Sequence, residues 1–208
     1  MKRDVYFTGT IPLPDAATVF ETVAKAVSPG LRWLPDGETG ARQAWLPWLE
    51  PIFAGHGQFE PSGDRYQRIY ETKSNAVYRV KAGIDPLTVR FHNLPYARIA
   101  LDSYQEFSRL KRTGVIPSRV KFQVGFAGVN SVIRRFVAED QREILAKAYE
   151  AALASEIAKI ATDIPPSELA IQWDVASAVF QYIEKGEPCA YGQTREAIID
   201  HFSGWHAR

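Results

Sequence analysis

Residues 4–40 read DVYFTGTIPLPDAATVFETVAKAVSPGLRWLPDGETG, and this stretch decides the fold class. Asp4-Val5-Tyr6-Phe7-Thr8 is rich in β-forming residues and predicts a short buried strand. Pro12, Pro14 and Asp15 follow as punctuation. Asp15 is a good N-cap, and Ala16, Val19, Phe20, Val23 and Val27 recur at helical spacing until Pro29-Gly30 ends the run. Leu31-Arg32-Trp33-Leu34 predicts a second strand, closing in Pro35-Asp36-Gly37-Glu38-Thr39-Gly40. Strand, helix and strand within about thirty-five residues make a βαβ unit, which implies parallel strands joined by a right-handed crossover.

Outward from this unit the pattern first loosens. Residues 41–54 carry Trp45, Leu46, Trp48, Leu49, Ile52 and Phe53 at helical period, broken by Pro47 and Pro51. Residues 66–72 and 76–82 alternate in polarity around Thr72-Lys73-Ser74-Asn75 and predict an inserted β-hairpin. Leu87-Thr88-Val89-Arg90-Phe91 reads as a further strand or as part of the insertion, which as a whole covers 41–95. Regular α/β order resumes after Pro95. Helices are expected over 97–112, 128–136, 139–161, 176–184 and 193–203, and strands over 120–124 and 169–174. In the long helix Leu145, Tyr149, Ala152, Leu153, Ile157 and Ile160 share one face. The class is α/β with a mainly parallel sheet, in a single domain.

The composition agrees. The chain has 208 residues, 46% of them hydrophobic, and a formal net charge of +1. That balance suits a globular domain and supplies no field for nucleic acid or an anionic membrane. No run approaches the ~18 apolar residues of a membrane span, and no apolar core follows Lys2-Arg3 as in a signal peptide. Cys189 is alone, so no intrachain disulfide forms, and a reducing cytoplasm is the expected compartment.

In parallel α/β sheets functional groups gather at the carboxyl ends of strands. The polar strand ends here are Thr8-Gly9-Thr10, Asp36-Gly37-Glu38-Thr39-Gly40, the Gln123 region, and Gln172 with Asp174. Gln172 and Asp174 are two apart and point to one face of their strand. Two carboxylates in one strand-end loop exceed what a turn requires, so Asp36 and Glu38 are candidates beside Asp174. Each also has a structural reading: Pro35-Asp36-Gly37 is a common turn, and Asp174 suits a helix cap. Gln123 and Gln172 are polar groups in apolar strands, and need partners if buried. They line a pocket or bond to one another. His56, His92, His201 and His206 lie in separate segments, none at a metal-ligand spacing with Cys189, so no metal residue is assigned.

Several short motifs resemble a known superfamily. Gly9-Thr10-Ile11-Pro12 resembles the Gly-Ser-Phe-Pro element that opens the catalytic barrel of cobalamin-independent methionine synthases. Ile171-Gln172-Trp173-Asp174 resembles that family's Ile-Gln-Ile-Asp-Glu-Pro strand end. The segments 34–40, 102–107, 122–125 and 170–176 are similar, in order, to a branch of the superfamily that also includes uroporphyrinogen decarboxylase. The resemblance implies a TIM barrel, and a methyl transfer to a small thiol activated by zinc. Combined with the strand-end reading, such an enzyme would have Asp174, Glu38 and Asp36 as an acidic catalytic pocket. Thr10, Gly9, Thr39, Gln123 and Gln172 become substrate-binding residues, with Thr10 towards a substrate carboxylate and Asp174 near a substrate amino group. Two departures stand out: Val-Ala follows Asp174 in place of Glu-Pro, and the zinc-binding His-x-Cys strand is absent.

A complete barrel takes ~250 residues, whereas four to five parallel βα units are legible here. The expectation is therefore an incomplete TIM-like barrel with the hairpin at 66–82 inserted. Zinc would be supplied from outside these residues, and self-association would cover an open barrel face. The alternatives are a decarboxylase-like or other metal-free activity with Arg32, Arg42 or Arg90 clamping substrate carboxylates, and a non-catalytic module that binds a ligand or partner.

Overall fold

The first helix, α1 (Ala16–Val27), begins where Asp15 accepts a hydrogen bond from the Thr18 amide at 2.7 Å. Its inward stripe is Val19, Phe20, Val23 and Ala24, all buried. A computed structural model describes residues 4–67, 73–174, 186 and 194–206 of the chain. After α1 come the strand β1 (Trp33–Pro35), short 3-10 turns at Gly40–Ala44 and Pro47–Leu49, and the one-turn helix α2 (Glu50–Ala54). The hairpin strands β2 (Phe59–Tyr66) and β3 (Asn75–Val80) follow, then α3 (Tyr96–Arg112), β4 (Lys121–Ala127) and α4 (Val129–Phe136). The chain continues through α5 (Arg142–Asp163), β5 (Leu169–Asp174) and α6 (Arg195–His206).

The main sheet is three-stranded and parallel in the order β1-β4-β5, with Pro35 opposite Gln123, Gly125 opposite Gln172 and Ala127 opposite Asp174. Alternation along β4 separates its two faces. Phe122 packs against Phe20 and Phe107 of the helices. Gln123 and Gly125 point the other way, towards residues 7–9 and Glu38. Burying a phenylalanine such as Phe122 contributes about 1.5–3 kcal/mol, so the helix-facing side fixes the sheet and leaves the opposite face to polar residues. No helix among the described residues is long and apolar enough to cross a membrane.

Several expectations need correction. Residues 4–8 do not form a strand: Val5 alone bridges Leu31, in parallel, with its amide on the Gly30 carbonyl. Beyond Val5 the backbone acceptors are taken by side chains, Gln123 on the Phe7 carbonyl and Gln172 on the Thr8 carbonyl. The hairpin begins earlier than its alternation suggested, at Phe59 rather than residue 66, because an edge strand tolerates Pro61 and Gly63. Its register slips between Pro61 and Arg65, as a bulge allows. Residues 87–91 are not a strand either. Asp85 accepts from the Leu87 amide and sets a 3-10 turn over Pro86–Thr88. Three parallel strands and one bridge are described where four to five strands were expected. The helix expected over 176–184, Cys189 and the His206 side chain lie outside the described residues.

The 41–95 segment is not an appendage to the core. Phe53 is fully buried, stacked on Phe136 and Tyr149 and edge-on to Phe59 and Phe91. Leu46, Leu49, Tyr78, Val80 and Val89 belong to the same apolar cluster as the sheet. His56 is spent in this packing: Nδ1 accepts from the Gln58 amide, Nε2 meets the Arg90 carbonyl, and the ring lies edge-on to Phe59.

Candidate functional site

The loop after β1 carries the first carboxylates. Asp36 is buried, and three donors hold it: Arg42 Nη2 at 2.6 Å, Ser103 Oγ at 2.8 Å and the Glu38 amide at 3.0 Å. This clasp ties the loop to the following 3-10 turn and to α3. It also shapes the backbone, since Gly37 at φ 76 lets the chain turn where a Cβ would lie 2.7 Å from Val19 Cγ2. Glu38 itself sits at φ 47. Among the described residues three non-glycines have positive φ, and two of them, Glu38 and Trp45, belong to this site. Such conformations cost about 1–3 kcal/mol and gather at functional sites, where the surrounding structure holds them.

Glu38 reaches across the mouth of the sheet. Thr10 Oγ1 donates to its Oε2 at 2.6 Å, and its carboxyl lies against two glycines. A Cβ on Gly9 would stand 3.0 Å from the Glu38 carboxyl carbon, and one on Gly125 would stand 3.4 Å from Oε1. At φ 147 Gly9 also adopts a backbone that favours glycine. Burial pushes the Glu38 carboxyl above its ordinary pKa, and the Asp174 and Asp36 charges add to this. The Thr10 hydrogen bond and the Arg42 charge oppose it.

Asp174 enters from the end of β5 at the opposite wall. Gln172 Nε2 donates to its Oδ1 at 2.7 Å, and the Trp45 side chain also hydrogen-bonds to it. Burial raises its pKa as well, against these two bonds. Gln172 is the junction of the site. Its amide nitrogen serves both Asp174 and the Thr8 carbonyl (2.6 Å), while its oxygen accepts from Gln123 Nε2 (2.6 Å) and from the Tyr6 hydroxyl. The two glutamines therefore bond to each other and also border open space, so both readings of them hold at once.

Two hollows meet here. An outer cleft of about 440 Å³ is lined by Thr8, Thr10, Glu38, Trp45, Gln172, Trp173 and Asp174. An inner cavity of about 40 Å³ lies between Gly9, Asp36, Glu38, Trp48, Tyr96, Gln123 and Gly125, among others. Among the described residues Glu38 alone lines both. Thr39 lines neither; it precedes the 3-10 turn without a side-chain capping bond. The chemistry on offer is acceptor-rich: two carboxylates that readily take a proton, two amide groups and aromatic walls. It suits a cationic or proton-donating ligand, because burial makes both carboxyls hold a proton more readily than ordinary carboxylates do.

Among the described residues no group of three or more His, Cys, Asp or Glu side chains could hold a metal ion. The described residues supply no zinc site of their own, and no chemical step is derived through zinc. The arginines do not form a carboxylate clamp either. Arg32 pairs with Asp4 at 2.9 Å, Arg90 donates to the Leu87 and Val89 carbonyls, and Arg42 is engaged by Asp36.

Sequence reading missed the hydrogen-bonding roles of Tyr6, Trp45 and Ser103 in the site. Ser103 and Gly125 fall inside stretches singled out by resemblance, at 102–107 and 122–125, which was the available signal. Nothing local marks Tyr6, whose partner is 166 positions away. Comparison with protein families, with curated proteins and with solved structures found no match for this chain.

Proposed function

We propose that the chain is a methionine synthase-like barrel protein whose cleft binds a small amino-bearing thiol and prepares it for methyl transfer. The observation that carries this reading is the convergence of Glu38 and Asp174, from separate strand-end loops, on one cleft lined by Trp45 and Trp173. On this reading the parallel strands and the Val5–Leu31 bridge form part of a barrel wall in sequential order. The resemblance of Gly9–Pro12 and of Ile171–Asp174 to the synthase motifs supports both the fold and the site.

The roles follow from the contacts. A ligand ammonium placed in the cleft is flanked by Asp174 and Glu38, and its charge lowers the cost of ionising both. Gln172 holds Asp174 in place, and Thr10 holds Glu38. Glu38 also serves as the proton acceptor for an ionising group of the ligand: the ligand's bond to hydrogen breaks, its electron pair stays on the ligand, and an O–H bond forms on the carboxyl. Asp36 acts through the loop it braces. The test is a thiol-methylation assay on the purified full-length gene product, with metal analysis alongside. Methylation that is lost in Asp174→Asn supports the reading. Absence of both thiol binding and methylation removes it.

A further inference from the structure

The inner cavity contains an unbalanced polar group. Gln123 is 3% exposed, and its amide nitrogen donates to the Phe7 carbonyl at 2.8 Å and to Gln172 Oε1. Only the NH2 end of a glutamine can donate to a carbonyl, so the orientation of the amide is fixed. Its Oε1 is left buried with no hydrogen-bond partner among the described residues. An unpaired buried acceptor costs about 1–3 kcal/mol, and native interiors usually satisfy such groups with an ordered water. The room is there: the cavity of about 40 Å³ beside Gln123 exceeds the ~10–15 Å³ that one water needs. A second polar wall is there too. Glu38 turns Oε2 to Thr10, while its Oε1 lies beside Gly125 on the cavity lining.

We propose that the inner cavity is a water site, with the water held between Gln123 Oε1 and Glu38 Oε1, and that Glu38 moves protons between the outer cleft and this water-lined interior. The proposal rests on the reading of the cleft as a ligand site. Glu38 forms the wall between the two hollows, so a proton accepted from a ligand on the cleft side resides on a carboxyl that is hydrogen-bonded from within. The water spends one O–H on Gln123. It then accepts from the protonated carboxyl, or donates its second O–H to the ionised one, so Glu38 has a hydrogen-bond partner on the cavity side in both states. The groups facing Glu38 are Asp174 from β5, Asp36 and Arg42 from the loop after β1, Thr10, and Tyr96 from α3. None of these hydrogen-bonds to Gln123 Oε1, nor does any other described residue, so a guest in the cavity is placed to satisfy it.

The test uses the ligand-free full chain. Water-to-amide cross-relaxation in NMR should detect a long-lived water near Gly125 and the Gln123 side-chain amide. A carboxyl carbon titration should locate the Glu38 midpoint. Gly125 has no positive φ, so Gly125→Ala is conformationally permitted, and its methyl fills the space beside Glu38 Oε1. The expected result is loss of the water signal and an upward move of the Glu38 midpoint, because the ionised form loses a donor. No bound water in the unmodified chain overturns the proposal, and that arm stands even if the variant fails to fold. An unchanged Glu38 midpoint in a folded Gly125→Ala also overturns it. Ligand binding with a dry cavity removes this proposal alone. A wet cavity in a protein that binds no ligand removes the cleft reading instead.

Discussion

Replacing Arg42 by Met removes the cation that clasps Asp36 while keeping most of the apolar stem. The pair is short, 2.6 Å between Arg42 Nη2 and Asp36 Oδ2, with side-chain exposures of 19% and 8%. Deleting one partner of a fully buried pair costs about 3–5 kcal/mol, whereas an exposed pair contributes roughly 0–1 kcal/mol. Two features place this pair between those limits. Arg42 is partly open to solvent, and Asp36 keeps the donors Ser103 and the Glu38 amide. The expected loss is about 2 kcal/mol, or ~4–8 °C in Tm for a domain of this size. Urea unfolding of Arg42→Met, Asp36→Asn and the double variant forms a cycle. The neutral amide introduced by Asp36→Asn no longer needs a cation. Arg42→Met should therefore cost much less in that background, with a coupling of about 1–2 kcal/mol. Additivity within ~0.3 kcal/mol would refute the view that this pair braces the site loop.

The remaining predictions concern the site, its support and the core. Glu38→Gln and Asp174→Asn should each stabilise the protein at neutral pH. Both folded pKa values are raised, so the stability these carboxyls contribute is full below their unfolded values and is lost as pH rises through the folded ones. The advantage of the neutral variants should therefore be small near pH 4 and grow towards pH 7 in urea titrations; the opposite trend contradicts the burial argument. Gln172→Leu breaks the bonds to Thr8, Gln123, Tyr6 and Asp174. It should cost about 1–3 kcal/mol and speed amide exchange in residues 5–10 before any global opening, and unchanged exchange there would count against this. Phe53→Ala should cost about 3–5 kcal/mol by thermal unfolding, because five rings surround that side chain.

Periodicity made the helices legible. The α1 stripe Val19, Phe20 and Val23, and the α5 face through Leu145, Tyr149 and Leu153, are buried as their spacing predicts. β5 matches its expected span of 169–174 because a short apolar run was bounded by Pro165-Pro166 and by Asp174. The misplaced elements share a physical cause. Residues 6–8 have strand composition, but their partners are side-chain amides more than a hundred positions away, which no local pattern encodes. In β2, Pro61 and Gly63 argue against a strand, yet an edge strand with a register slip accommodates both. Strand-end logic brought forward Thr10, Glu38, Gln123, Gln172 and Asp174, and the fold gathers these five around one strand-end mouth. The positive φ of Trp45 and its bond to Asp174 depend on tertiary packing and leave no mark in the sequence.

The most direct measurement is a calorimetric titration at pH 7 with a small amino thiol such as L-cysteine, repeated with its N-acetyl derivative and on Asp174→Asn. If the carboxylates converge on a ligand ammonium, the free amine binds, and the acetylated form binds more weakly. Asp174→Asn should then lose ~10–150-fold in affinity, the equivalent of one charged hydrogen bond of about 1.5–3 kcal/mol. Equal affinity for the amine and the acetylated form, or binding unaffected by Asp174→Asn, would contradict the account.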